Sequence, residues 1–234
     1  MANELGKSSF SEYIIVQSDA QEMSESRFNL LIGAMLSWGF FINYLLIRYL
    51  TPTLLRWVYG SRGSNPLIVL LVGYFALALT GSALLRRRNT TLAFIGYNLI
   101  ALPVGIVLAL VLWSYDAAIV QQAMLSTAAI TFIMMVAATL RPAFFERIGS
   151  ALGIALLATI VVELVASLIF RMHPGIIDWV VVVIMALYVG FDWARANSVQ
   201  RTPYNAIAAS SALYLDIINI FLRLLRILSR SRRN

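Results

Sequence analysis

The sequence has no cysteine and a single histidine, His173, in 234 residues. Without cysteine there is no disulfide frame, no thiolate metal site and no cysteine nucleophile. One imidazole cannot build a multi-histidine zinc site or a two-histidine haem site. With Pro174 beside it, His173 reads as a loop residue at a membrane surface. Charge is scarce too. Charged residues make up 12% of the chain, about half the ~25% of a soluble domain. A soluble fold of this size would lack the charge to cover its surface. Hydrophobic residues instead reach 60%, and long apolar runs mark membrane-spanning helices. These totals exclude a soluble enzyme, a secreted module and a disordered tail. The net charge of +7 does not point to nucleic acid, because the arginines flank apolar runs and form no soluble basic face. They read as loop residues facing the cytoplasm.

Residues 1–27 are polar and lack the basic start, apolar middle and small-residue cleavage site of a signal peptide. They are expected to form a short tail, with an interfacial turn around Phe10–Val16. Apolar runs then follow at Phe28–Ile47, Pro66–Leu85, Thr91–Trp113, Ala117–Leu140, Ile148–Phe170, Ile176–Phe191 and Tyr204–Leu228. At 1.5 Å per residue, ~20 residues cross the ~30 Å hydrocarbon core. The expectation is one all-α, polytopic domain over residues 28–228, with a basic tail at 229–234. The seventh run carries Asp216 near its middle, and its fate is open. If it spans, Lys and Arg tie at nine on each side. If it re-enters and returns, fourteen face four, and both versions permit a cytoplasmic N-terminus.

An ionisable group inside a bilayer costs at least a few kcal/mol, so each asks for a reason. Asp178, at the start of the sixth run, reads as an interfacial charge favoured by the helix dipole. Glu163 sits mid-span and must face the bundle interior, pair or be protonated. Asp192 and Asp216 are the informative pair, because each lies 12 residues from Tyr204. A helical hairpin turning near Pro203 brings both carboxylates to one depth, about 18 Å along each arm. Pro203 suits a first helical turn, and the small residues Ala208–Ala212 allow close helix approach. Two carboxylates in contact cannot both ionise cheaply, so they share a proton and titrate as one unit. Such a pair reads as a pH-sensitive latch; the alternative is that Asp192 only ends its helix at the interface and Asp216 is a satisfied structural polar residue. The pair is also a weak Ca²⁺ site at most, far short of the about six to eight oxygens of a tight one. Arg86 is the natural counter-charge, since a guanidinium binds a carboxylate through two parallel hydrogen bonds.

The remaining markers read as structural. Gly149 and Gly153 offer a close helix contact. Trp57, Trp113, Trp179 and Trp193 sit near run ends as interfacial aromatics do, whereas Trp38 lies within a run and reads as packing. Arg223 and Arg226 read as side chains that snorkel to the surface.

The segment Leu213–Tyr214–Leu215–Asp216–Ile217–Ile218–Asn219–Ile220–Phe221, followed by Leu224–Leu225–Arg226, resembles the C-terminal signature of the Bax inhibitor-1 family. So does Tyr188–Val189–Gly190–Phe191–Asp192. Leu84–Leu85–Arg86–Arg87–Arg88 looks like the end of the family's second helix. The resemblance runs from about residue 28 to the end of the chain, and points to a bacterial member. It implies a seven-helix bundle with six helices around a central C-terminal one. By the same resemblance the family's aspartate pair falls on Asp192 and Asp216, and its latching arginine on Arg86. Some bacterial members carry a glutamate eleven positions before that arginine, where this chain has Phe75.

The leading expectation is a pH-sensitive calcium leak channel, gated by Asp192 and Asp216 and latched by Arg86. Glu163 and Asn219 are candidate pathway residues. No cofactor is expected to bind tightly; Ca²⁺ would be the permeant ion. The alternative is a membrane interaction protein that regulates a membrane protease or a stress complex and transports nothing. An intramembrane aspartyl protease also uses two aspartates on neighbouring helices, but its Gly-x-Gly-Asp block is absent. The chain is expected not to be an enzyme. Expected partners are the lipid bilayer, calcium ions and other membrane proteins, with no nucleic acid. The expected location is a bacterial inner membrane.

Overall fold

The computed structural model describes residues 22–60, 65–168 and 175–232. His173, the expected turn around Phe10–Val16 and most of the N-terminal tail lie outside these. Among the described residues there are seven helices and no strand. They are α1 (Glu25–Gly60), α2 (Pro66–Leu85), α3 (Thr90–Leu112), α4 (Ala117–Leu140), α5 (Pro142–Leu168), α6 (Gly175–Ser198) and α7 (Pro203–Ser231).

Local sequence sets where these helices begin. Asn89 Oδ1 accepts from the backbone N–H of Leu92 at 3.0 Å, and Asp116 Oδ1 from that of Ala118 at 3.2 Å. Each satisfies an amide that the first turn leaves unpaired. Pro66 and Pro203 occupy first turns, where no amide hydrogen is needed. Helix α5 starts at Pro142, a turn and a half before its apolar run. Its first residues carry Glu146 and Arg147, so hydropathy hides them.

Helices α1 to α6 are long and apolar enough to cross a membrane. The chain is an integral, multi-pass membrane protein, and its outer helices face lipid. Helix α7 is the exception. It carries Ser210, Ser211, Asp216, Asn219, Arg223 and Arg226, yet it supplies more buried residues than any other helix. The logic inverts that of a soluble protein. Where the solvent is hydrocarbon, polar side chains find partners only inside the bundle.

Six helices surround α7. Helices α1, α3, α4 and α6 pack along it. The two outer helices reach it by polar contacts: Tyr204 donates to Leu85 O of α2 at 2.6 Å, and Arg223 binds Glu163 of α5. The question of re-entry is settled. Helix α7 is continuous, and Arg232 beyond its end pairs with Asp116 in the α3–α4 turn, 3.4 Å away. At its start, the backbone N–H of Met23 donates to Arg201 O at 2.8 Å. The two ends of α7 therefore lie at opposite ends of the bundle.

Close backbone approach fixes two further pairs. A Cβ on Gly81 of α2 would lie 2.6 Å from Gly96 O of α3. One on Gly149 of α5 would run into the Phe191 ring of α6, so the close contact is made at Gly149, whereas one on Gly153 would lie 3.6 Å from Tyr188 Oη, an ordinary contact. Trp38 departs from expectation. It is 42% exposed on the outer surface, and its indole N–H donates to Asn98 Oδ1 at 3.1 Å.

Candidate functional site: a carboxyl pair and an arginine cluster on the central hairpin

The site begins with the turn between α6 and α7. Thr202 Oγ1 accepts from the Asn205 N–H at 3.2 Å, and Asn205 Nδ2 donates to Gln200 O at 2.7 Å. Pro203 then starts α7, and the two helices run back along each other. That register brings Asp192 and Asp216 together. The two carboxyl groups lie within reach of each other, where two like charges are costly and one shared proton is favoured. Asp216 is buried, and its Oδ2 takes no bond from an amide, hydroxyl or guanidinium among the described residues. Asp192 is half-buried. Tyr188, one turn before Asp192, is close enough to interact electrostatically with both.

Arg86 does not join them. It is exposed at the C-cap of α2 and makes no ion pair with either aspartate among the described residues. Its neighbour Leu85 is tied to Tyr204, and about 18 Å of helix separates Tyr204 from Asp216. Asn219 stands on a different face of α7. Its Nδ2 donates to Leu215 O at 2.9 Å, and it borders a cavity of about 510 Å³ between α2, α3 and α7. Phe75 and Tyr74 line the same cavity, whose walls are apolar.

Glu163 is not beside the pair either. It belongs to a second charged group toward the far end of α7. Arg223 grips it with two bonds, Nη1 to Oε1 at 2.9 Å and Nη2 to Oε2 at 2.8 Å. The same Nη1 also donates to Asp178 Oδ1 at 3.0 Å. Arg226 approaches both acids, at 3.5 and 3.4 Å, and Arg230 Nη1 binds Asp178 Oδ2 at 2.9 Å. Asp178 does sit in the first turn of α6, as the dipole argument requires. It is nevertheless buried beneath three guanidinium groups rather than facing the interface. Arg223 and Arg226 likewise bond inward instead of snorkelling.

Sequence reasoning missed this cluster, although a signal existed. Arg223, Arg226 and Arg230 are spaced three and four apart, which puts them on one helix face. Asp178 and Arg230 each lie 26 residues from Tyr204, so they obey the same hairpin register as the aspartate pair. Among the described residues, no group of three or more acids, histidines or cysteines gathers to hold a metal ion.

The family model described as "Inhibitor of apoptosis-promoting Bax1" matches residues 20–234. An uncharacterized membrane protein of Streptococcus pyogenes serotype M3 is 28% identical over 218 residues, covering 86% of this chain and 90% of the relative. An uncharacterized membrane protein of serotype M6 shows the same identity and coverage. One of serotype M1 is 27% identical over the same length. No solved structure matches the chain.

Proposed function

The chain belongs to the Bax inhibitor-1 family, and from that premise we propose that it is a pH-sensitive leak pathway for Ca²⁺. The carboxyl pair of Asp192 and Asp216 is its gate. One observation carries the reading: two acids from neighbouring membrane helices face each other on the hairpin, and Asp216 is buried with its Oδ2 unsatisfied among the described residues. A bridged pair holding one proton keeps α6 against α7. When the proton leaves, two like charges face each other where water is excluded, and repulsion drives the helices apart. Flux therefore rises with pH. Arg86, exposed and free of both acids in this state, is available to a carboxylate released from the pair. Reaching it requires the end of α2 to move away from Tyr204, and neutralising that carboxylate would limit, not abolish, the rise in flux. In this reading the chain is not an enzyme and holds no tightly bound cofactor. Its two carboxylates pass Ca²⁺ on rather than store it. A bacterial inner membrane with a cytoplasmic N-terminus is the proposed setting.

The test is Ca²⁺ influx into liposomes holding the purified protein, scanned from mildly acidic to mildly alkaline pH. Asp192→Asn and Asp216→Asn should each lose the wild-type pH profile. A profile unchanged in Asp216→Asn sinks the carboxyl gate. No flux above empty liposomes at any pH would favour a protein that regulates membrane partners, with the aspartates serving as architecture.

A further inference from the structure

A cation moving from the aspartate pair toward the end of α7 has a second group of charges ahead of it. We propose that Arg223, bound by Glu163 and Asp178, is the centre of a salt-bridged barrier that closes the far mouth of the seam between α5, α6 and α7. The barrier acts in series with the carboxyl pair, and so rests on the transport reading above.

Four observations place it there. First, the two charged stations lie on one line. Asp192 with Asp216, and Asp178 with Arg230, are both centred on Tyr204 in the same antiparallel hairpin. Second, Arg223 follows Asp216 by seven residues, two turns along the same face, or about 10 Å. Third, Val181, Met185 and Ile220, which lie along the hairpin between the two stations, are buried and apolar. Fourth, three guanidinium groups face two carboxylates, which leaves a net positive charge. Positive charge across a pore is an electrostatic barrier to cations.

The centre of the barrier also has a mechanical consequence. One nitrogen, Arg223 Nη1, bonds an acid on α5 and an acid on α6 at once, so a single side chain ties three helices together. Arg226 and Arg230 are more open to solvent and form the outer layer. Opening the mouth requires Arg223 to leave both acids. A cation then meets Glu163 and Asp178 with only the more exposed Arg226 and Arg230 beside them.

Water access reads this barrier independently of flux. The chain has no cysteine, so Ile220→Cys introduces one thiol between the stations. The probe is a permanently charged methanethiosulfonate ammonium reagent that does not cross the bilayer. In the otherwise wild-type protein, labelling should be slow. Adding Arg223→Gln should raise the labelling rate about tenfold or more, because the buried ion pairs that hold the mouth shut are gone. Glu163→Gln with Arg223→Gln should do the same while leaving no unpaired buried glutamate, which guards against a variant that only fails to fold. Arg223→Lys should restore slow labelling. The Arg223→Gln variants should also leak more Ca²⁺ at every pH and keep the wild-type pH dependence. Slow labelling in both glutamine variants, each eluting as intact protein, overturns the barrier and leaves the carboxyl gate standing. No flux from the wild-type protein overturns the transport reading, and with it this role for Arg223.

Discussion

Replacing Asp178 by asparagine should destabilise the whole bundle, and the structure indicates by how much. The Asp178 side chain is 3% exposed and Arg223 is 15% exposed, at 3.0 Å. Removing one partner of a buried pair costs about 3–5 kcal/mol, because the other charge stays buried and unmatched. Arg226 and Arg230 keep 34% and 43% of their side-chain surface, so water compensates them and each loses only about 0–1 kcal/mol. Arg223 still has Glu163, and asparagine still offers an acceptor. The cost should therefore fall near the lower figure, about 3 kcal/mol. For a chain of this size, that lowers the melting temperature by about 6–12 °C. The assay is thermal unfolding of purified protein in detergent, at low salt and at about 1 M NaCl, where exposed pairs are screened within ~3 Å. Most of the loss should persist in high salt. Combined with Arg223→Gln, the two losses should overlap rather than add, with a coupling of about 1–3 kcal/mol. A loss below about 1 kcal/mol, or one that vanishes in high salt, would show that the cluster is a surface feature and refute the reasoning.

Two further outcomes are expected. Gly81→Ala should cost about 1–3 kcal/mol, because its new methyl would meet Gly96 O. Gly73→Ala, with nothing within 4 Å of the new Cβ, should cost nothing measurable; equal thermal shifts in the two would contradict the α2–α3 contact. Arg86→Gln should leave stability within about 0.5 kcal/mol, as for an exposed residue without a partner, while raising Ca²⁺ flux at the alkaline end of the scan. A large stability loss, or unchanged flux, would remove Arg86 from the gate.

Much of this arrangement was legible from the chain. Six spans announce themselves because lipid selects continuous apolar runs whatever the neighbours do. The meeting of Asp192 and Asp216 was legible because a hairpin links sequence distance to depth. Arg230 and Asp178 follow the same arithmetic. They escaped because each has an adequate local explanation: a helix dipole for the acid, and an interface for the arginine. Glu163 is different in kind. It lies on α5, whose position against α7 depends on packing between helices, and no spacing in the sequence encodes that. Arg86 stands apart from the pair for the same reason, since its distance from the aspartates is set by where Tyr204 holds the end of α2. The path of the last helix escaped because loop charges tie if it spans. Arg232 and its bond to Asp116 decide it.

The polar character of α7 bears on how the protein is made. Each charge near a helix centre adds about 2.5–3.5 kcal/mol to the cost of insertion. Helix α7 carries Asp216 and Arg223 well inside its length and is not among the helices apolar enough to cross unaided. It is also the last of the seven to leave the ribosome. The six earlier helices must therefore enter the bilayer first and wait as an incomplete shell. When α7 emerges, Asp192, Asp178 and Glu163 are already there to receive its charges. A shell without α7 leaves Asp192, Asp178 and Glu163 unmatched in the membrane, so the bundle's polar interior is complete only when its last helix is in place.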